Sequence, residues 1–185
     1  YASVVSQDES TLIFTSRRPD TRGGKKALEG GYYEDIYTAT LVKGSLKESQ
    51  NLLADTTRGQ YFHLATDFEY HDFKRMNDEV NSKDHDGSIQ LDKKDKILYF
   101  YRDADIWSVD VSSDSIKKAE KLGTFVNSDH HEPSIFFSYD GKKLFIVSDR
   151  PGGYGGLDIW LSVKEGDEWS EPKNLGPNVN TKYDE

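Results

Sequence analysis

The chain has 185 residues, 35% hydrophobic and 12% aromatic, with no cysteine and a formal net charge of −9 at pH 7. That acidity disfavours a nucleic-acid or anionic-membrane surface, which needs clustered Lys and Arg. Disulfides and Cys-ligated zinc are excluded, and no apolar run approaches membrane-spanning length. Yet 11 Tyr, 9 Phe and 3 Trp are more rings than a disordered chain of this polarity carries. One domain, or one large all-β unit, with a thin, ring-rich, sheet-like core is expected. With neither an initiator Met nor a signal peptide, the chain is read as a processed segment. A cysteine-free chain suits a cytosol or a periplasm equally.

The first elements lie in "ASVVSQDESTLIFTSRRP" (2–19), two short β-branched and aromatic runs separated by polar residues around Glu9. A basic insertion, 20–33, follows; it contains Arg22, next to Gly23, and ends in "EGGYYED", with Tyr32 and Tyr33. "EDIYTA" (34–39) reads as a third strand. The second insertion, 45–72, has Ser45 and Glu48 in capping-box spacing, which predicts one short helix there. It also carries His63 and His71 within the aromatic stretch "YFHLATDFEYHDF". "RMNDEVNSKDHD" (75–86) closes this part.

The rest of the chain says the same thing twice more. "GSIQLDKKDKILYFYRDADIW" (87–107) lies over "PSIFFSYDGKKLFIVSDRPGGYGGLDIW" (133–160), and the opening 2–19 lies over 134–151. Each copy ends in a VN[ST] phrase: "VNSKDHD" (80–86), "VNSDHHE" (126–132) and "VNTKYDE" (179–185). The acids that close these phrases, Asp86, Glu132 and Glu185, are 46 and 53 residues apart. Each copy reads as four short strands. "YDGK" predicts a hairpin in which Gly141 takes a positive φ. Glu9 and Asp95 stand at that point in the other copies and should be strained or looser there. "LFIV" is apolar on both faces, so its sheet should be covered on both sides.

A solenoid needs a nearly constant period, whereas a propeller tolerates loops of different length at its rim. The expected fold is therefore all-β, with β-propeller blades of four antiparallel strands. Three blades are present: about 1–84, about 85–130 and about 131–185. The VN[ST] phrase falls between the outermost strand of one blade and the innermost strand of the next. Asn there is expected to supply left-handed backbone angles, and Ser or Thr to bond nearby backbone groups. Rings of roughly four to eight blades are the closed forms. Closure is expected from further sequence, with a two-fold pair of three-blade arcs as the alternative.

"PSIFFSYDGKKLFIVSDRPGGYGGLDIWLS", followed by "EWSEPKNLGPNVNT", resembles the WD40-like propeller repeat of TolB-type bacterial proteins. More narrowly, it is similar to copies in Bacteroidota envelope proteins that join a propeller to TPR repeats and an OmpA-like domain, including a type IX secretion group. The resemblance is strongest in the third copy, and the first matches only at its ends. It implies a non-enzymatic periplasmic scaffold, associated with the outer membrane, that binds other envelope proteins. Peptidoglycan binding would require domains not seen here.

Several groups could carry recognition. Asp86, Glu132 and Glu185 could ring one channel mouth and draw a divalent ion; alternatively, each could bond the backbone, a Ser or an Arg at its blade junction. No metal or other cofactor is expected. Arg17, Arg18, Arg102 and Arg150 follow the second strand of each copy and could receive a carboxylate from an adjacent blade or from a partner. Tyr37, Trp107 and Trp160 sit in the recurring DI[WY] and are expected between blades. "RPGGYGGLD" (150–158) has the glycine content of a phosphate loop, but a strand follows it where a helix would be needed. It reads as a flexible loop with Tyr154 at its tip. The expected partner surface is Arg17, Arg18, Arg22, Tyr32, Tyr33, Arg150 and Tyr154. A glycan- or peptide-binding module, or a hydrolase or lyase at the channel mouth, are the alternatives. No G-x-S-x-G elbow or cysteine nucleophile marks an enzyme.

Overall fold

The computed structural model describes residues 3–20, 30–43, 68–92, 94, 96–113, 116–166 and 168–185. Arg22 and most of the basic insertion lie outside them. So do Asp95, His63 and the Ser45–Glu48 capping pair with its expected helix.

The described residues form three antiparallel sheets. Blade one is β1 (Val4–Val5), β2 (Thr11–Ser16), β3 (Asp35–Lys43) and β4 (Phe68–Arg75), hydrogen-bonded in that order. Blade two repeats the meander with β5 (Asp86–Leu91), β6 (Ile97–Arg102), β7 (Asp105–Asp110) and β8 (Glu120–Lys121). Blade three comprises β9 (Ser134–Phe137), β10 (Lys143–Ser148) and β11 (Asp158–Glu165), with both β12 (Glu168–Trp169) and β13 (Lys173–Asn174) paired to β11. The first strands gather on one side, where β5 touches both β1 and β9. This is the fan of a propeller.

Alternation along each strand splits its side chains between two neighbours. Leu98 and Phe100 of β6 pack on Ile13, Ile36 and Val80 of blade one. Tyr99 and Tyr101, the intervening residues, pack on the other side with Ile135, Leu144 and Ile146 of blade three. Blade two is thus covered on both faces, and the second strand is apolar throughout for that reason. In blade three, Leu144 and Ile146 are fully buried whereas Phe136 is 57% exposed. Its far face has no blade against it among the described residues.

The turns obey local chemistry. Gly141 has φ +67°, and its N–H donates to Ser138 O at 2.8 Å. Ser6 and Asp8 rebuild the same turn as Ser138 and Asp140: each serine hydroxyl donates to the aspartate two residues on, at 2.7 and 2.6 Å. Glu9 takes the place of Gly141 and is forced to φ +61°. In blade two, Asp103 and Ala104 have φ +54° and +67° and connect β6 to β7 as a two-residue hairpin. Both central residues are left-handed there, a conformation that suits Asn-Gly. Ala104→Gly and Glu9→Gly should each raise stability by about 0.5–1 kcal/mol through relief of that strain. Urea unfolding of the single variants and the double variant checks this, and the two gains should add.

Candidate functional site

The recurring asparagines are the first component of the blade junctions. Asn127 Oδ1 accepts from Ile106 N at 2.8 Å, and its Nδ2 donates to Ile106 O at 2.9 Å and Leu122 O at 2.8 Å. Asn81 makes the same bonds to Ile36 N, Ile36 O and Met76 O at 2.6, 3.0 and 2.9 Å. Asn180 pairs likewise with Ile159 N and O, at 2.9 and 3.0 Å. Each amide stands in for a peptide group at the start of the third strand: Met76, Leu122 and Leu175 donate their N–H to the same isoleucine carbonyls, and the asparagine supplies the acceptor for each isoleucine N–H. The expectation that these asparagines supply left-handed angles is corrected: among the described residues, the non-glycine residues with positive φ are Glu9, Asp72, Asp103 and Ala104.

The phrase-closing acids turn back onto their own junctions. Ser128 N and Oγ donate to Glu132 at 3.0 and 2.6 Å, and Thr181 N and Oγ1 donate to Glu185 at 2.9 and 2.6 Å. Ser82 N donates to Asp86 at 2.6 Å. Asp86 and Glu132 are wholly buried, so neither opens onto a channel mouth, and Glu185 alone is exposed. Among the described residues, no group of three or more His, Asp or Glu could hold a metal ion.

The arginines complete the tie. Arg150 donates to Val126 O at 2.8 Å and to Glu132 at 3.3 Å, while its Nε donates to Ser148 Oγ at 3.0 Å. Ser148 Oγ donates in turn to Glu132 at 2.7 Å. Arg102 donates to Glu79 O at 2.8 Å and lies 3.8 Å from the centre of the Trp107 ring. Both guanidiniums therefore lock a blade onto the junction before it, and Arg150 is not available to a partner. Asp86 is one methylene shorter than Glu132. Its Oδ1 and the Nε of Arg102 are both buried without a hydrogen bond. Burial pushes Asp86 up to about 7, against the opposing effect of the Ser82 bonds. Of the ring residues, Trp160 is buried between blades two and three and Trp107 packs against the cluster between blades one and two, as expected, whereas Tyr37, though buried, lies against Phe14 and Arg18 of its own blade.

Hairpins and junction loops share one end of the arc. Glu34 is nearly buried there, bound by Arg17 and by His85 Nδ1, and His85 meets the Tyr33 ring edge-on at 4.6 Å. Burial would raise the Glu34 carboxyl, but His85 and Arg17 outweigh it and hold it below its ordinary value. Arg17, half exposed, and Tyr33 thus border an ion-paired site, with Tyr32 partly buried beside it.

The loop 150–157 is not the flexible segment that its glycines suggested. Asp158 Oδ2 accepts from Tyr154 N at 2.8 Å, and Leu157 N donates to Asp184 Oδ1 at 2.9 Å. A Cβ on Gly153 would lie 1.7 Å from Asp158 Oδ2, and one on Gly155 2.2 Å from Tyr183 O. The glycines are there for close approach. Tyr154 stands 53% exposed and Tyr183 67% exposed on these locked segments.

At the opposite end, the first strands and their hairpins enclose a groove of about 820 Å³ lined by Val5, Tyr99, Phe136, Phe137, Tyr139 and Trp169. Sequence reasoning missed this groove, because its rings come from two copies at non-equivalent positions.

No protein-family model and no curated protein matches the chain. Among solved structures, it is similar to a putative TolB from Agrobacterium tumefaciens, at 14% identity and a TM-score of 0.47, covering 100% of this chain and 54% of that one. It is also similar to the periplasmic gluconolactonase PpgL of Pseudomonas aeruginosa, at 12% identity and a TM-score of 0.46, covering 95% of this chain and 57% of that one. A post-proline cleaving enzyme from Rickettsia typhi matches at 8% identity and a TM-score of 0.42, covering 93% of this chain and 21% of that one. The chain thus spans about half the length of the first two structures, or less in the third.

Proposed function

We propose that this chain is a non-enzymatic interaction scaffold of a bacterial envelope, on the periplasmic side, within an assembly of the outer-membrane or type IX secretion kind. The compartment and the assembly rest on the sequence resemblance. The observation that carries the scaffold reading is rigid presentation. Tyr154 projects from a loop whose Gly153 and Gly155 leave no space for a side chain, and Tyr183 from the segment packed against that loop at Gly155. Exposed tyrosines fixed in this way lose little entropy on contact with a protein surface. Arg17, Tyr32 and Tyr33 add charge and aromatic area at the loop end.

A photo-crosslinking residue at position 154 or 183, irradiated in envelope extract, should give discrete protein adducts. The same residue at Lys118, exposed at the outer rim, should not. Identical adduct patterns from all three positions, or none from 154 and 183, would remove the scaffold reading.

The ring-lined groove favours a second reading, glycan or peptide binding, because aromatic faces suit both ligands. Trp169 lies in its wall, so titration with envelope glycans or extended peptides should quench its fluorescence. A flat titration with every ligand would eliminate this reading.

A further inference from the structure

Blades one and two do not fill the space between them as blades two and three do. In the second junction rings meet: Tyr99 lies 4.6 Å from Phe137, Phe137 5.8 Å from Trp169, and Phe125 6.4 Å from Trp169, centre to centre. In the first junction, strand register puts Ile13 in the place of Tyr99 and Leu91 in the place of Phe137. Glu79 precedes Val80 as Phe125 precedes Val126. Smaller or polar residues at these three positions leave a cleft of about 660 Å³ whose two walls are adjacent blades of this chain. Sites for small molecules have volumes of this order.

The cleft has two kinds of lining. Ile13, Leu91 and Ile116 give it apolar surface. Thr38, Thr40, Asp72 and Lys74 give it polar groups, and none of these four side chains has a hydrogen bond or ion pair among the described residues. Asp72 and Lys74 are solvent-exposed and so open to a ligand. Asp8 adds a second acid: its Oδ1 takes all three bonds from Ser6 and Ser10, and its Oδ2 accepts none among the described residues.

A bulge in β4 puts the two free charges there. The register passes from Thr38↔Lys74 to Thr40↔His71, so Asp72 and Phe73 together face the single Ala39. The break turns Phe73 to the other side, edge-on to Phe14 at 6.2 Å and against Arg18, and leaves Asp72 and Lys74 on the cleft. It holds Asp72 at φ +53°, a left-handed angle that strains an aspartate. Bulges that re-aim side chains in this way accompany functional sites.

We propose that this cleft binds a small zwitterion with an apolar side chain: an amino acid, or a peptide of about two or three residues with both ends free. Lys74 receives the carboxylate and Asp72 the ammonium. The threonine hydroxyls bond the polar atoms between them, and the side chain lies on Ile13, Leu91 and Ile116. Free groups of both signs beside an apolar wall select this class. A simple anion would meet Asp72 and Asp8, and a pyranose would find no aromatic face among the lining residues.

Isothermal titration calorimetry of the whole chain with leucine, dileucine, N-acetyl-dileucine and dileucine amide tests this. Leucine or dileucine should bind, and the tighter of the two tells an amino acid from a peptide. Blocking either end of dileucine should weaken it at least about tenfold. Lys74→Met should weaken dileucine about tenfold yet leave dileucine amide unchanged, because that ligand has no carboxylate to lose. Asp72→Asn, in which asparagine tolerates the left-handed angle, should weaken dileucine similarly and leave N-acetyl-dileucine unchanged. These pairings separate a lost ligand contact from a folding defect. No heat with either free ligand, equal affinity for free and blocked forms, or variants that weaken every ligand alike would overturn the proposal. So would dileucine binding that persists undiminished in the double variant, since it would then lie elsewhere on the chain. Crosslinking at Tyr154 and quenching of Trp169 do not depend on these residues, so each reading fails separately.

Discussion

Asn127→Ala should destabilise the chain by about 2–4 kcal/mol. The side chain is 4% exposed and makes three hydrogen bonds to main-chain groups. Truncation leaves the Ile106 N–H and the Leu122 carbonyl unpaired in the space between blades, while Ile106 O keeps its bond from Leu122 N at 3.0 Å. Each such group costs about 1–3 kcal/mol when water cannot reach it, and some water will enter the gap. Asn127→Asp is the sharper variant. It keeps the shape and the acceptor for Ile106 N, but turns an oxygen toward Ile106 O and Leu122 O, where the native amide donates. It should lose at least as much as alanine near neutral pH. Urea unfolding of both variants checks this, and a loss below about 1 kcal/mol for either would show that the amide is incidental to the junction. Ser128→Ala, which removes the hydroxyl's bond to Glu132 and the exposed one it accepts from His130 N, should cost only about 1 kcal/mol.

The contrast between these residues shows how much the sequence revealed. Strands and hairpins were legible because their causes are local. Alternation set the faces of β6 and β10, and "YDGK" set the turn at Gly141. The recurrence of Asn was equally visible, but its reason was not. Asn81 bonds a residue 45 positions earlier, and Asn127 and Asn180 bond residues 21 positions earlier. A bond across that distance leaves no mark in local spacing, so a turn preference was the nearest available cause. The acids did carry a readable signal. Ser82, Ser128 and Thr181 each stand four residues before Asp86, Glu132 and Glu185, and that pairing describes an acid bonded within its own loop. The loop 150–157 misled for another reason. Glycine permits both freedom and close packing, and only the Asp158 carboxylate beneath the loop decides between them.

The three junctions are one design executed with different side-chain lengths. Glu132 reaches Ser148 and Arg150, whereas Asp86 stops short of Arg102. The third strands show a parallel case. Asp35 pairs with Arg75 at 2.5 Å and Asp105 with Lys121 at 2.7 Å. In blade three, Asn174 takes the cation's place, and both Asp158 Oδ1 and Asn174 Nδ2 are left without partners. Asp158 has been diverted to hold the loop that presents Tyr154. Stability given up within the blade is thus coupled to the ordering of the loop that carries Tyr154.

The unfinished junction at Asp86 should also make stability depend on pH in the direction opposite to ordinary acid denaturation. Burial raises this carboxyl to about 7 in the folded chain, and the nearby Asp35 charge adds to the rise while Arg102 opposes it. Unfolded aspartate titrates near 3.9. Between about pH 4 and pH 7, the folded state therefore holds a proton that the unfolded state has released. Stability from this group is complete below about pH 4, falls as pH rises to about 7, and is level above that. The full excursion is on the order of 4 kcal/mol. Other acids, such as Glu34, contribute with the opposite sign because their folded values are lowered, so the wild-type profile alone does not isolate the effect. The difference between wild type and Asp86→Asn does. Wild type should lose several kcal/mol relative to Asp86→Asn between pH 5 and pH 8. Asp86→Glu should behave differently again, since the added methylene gives its carboxylate the reach by which Glu132 meets Arg150, here toward Arg102 Nε. It should be more stable than wild type at pH 8, with a flatter profile. Parallel unfolding curves for all three proteins across that range would show that Asp86 is ionised at neutral pH and that its junction is already complete.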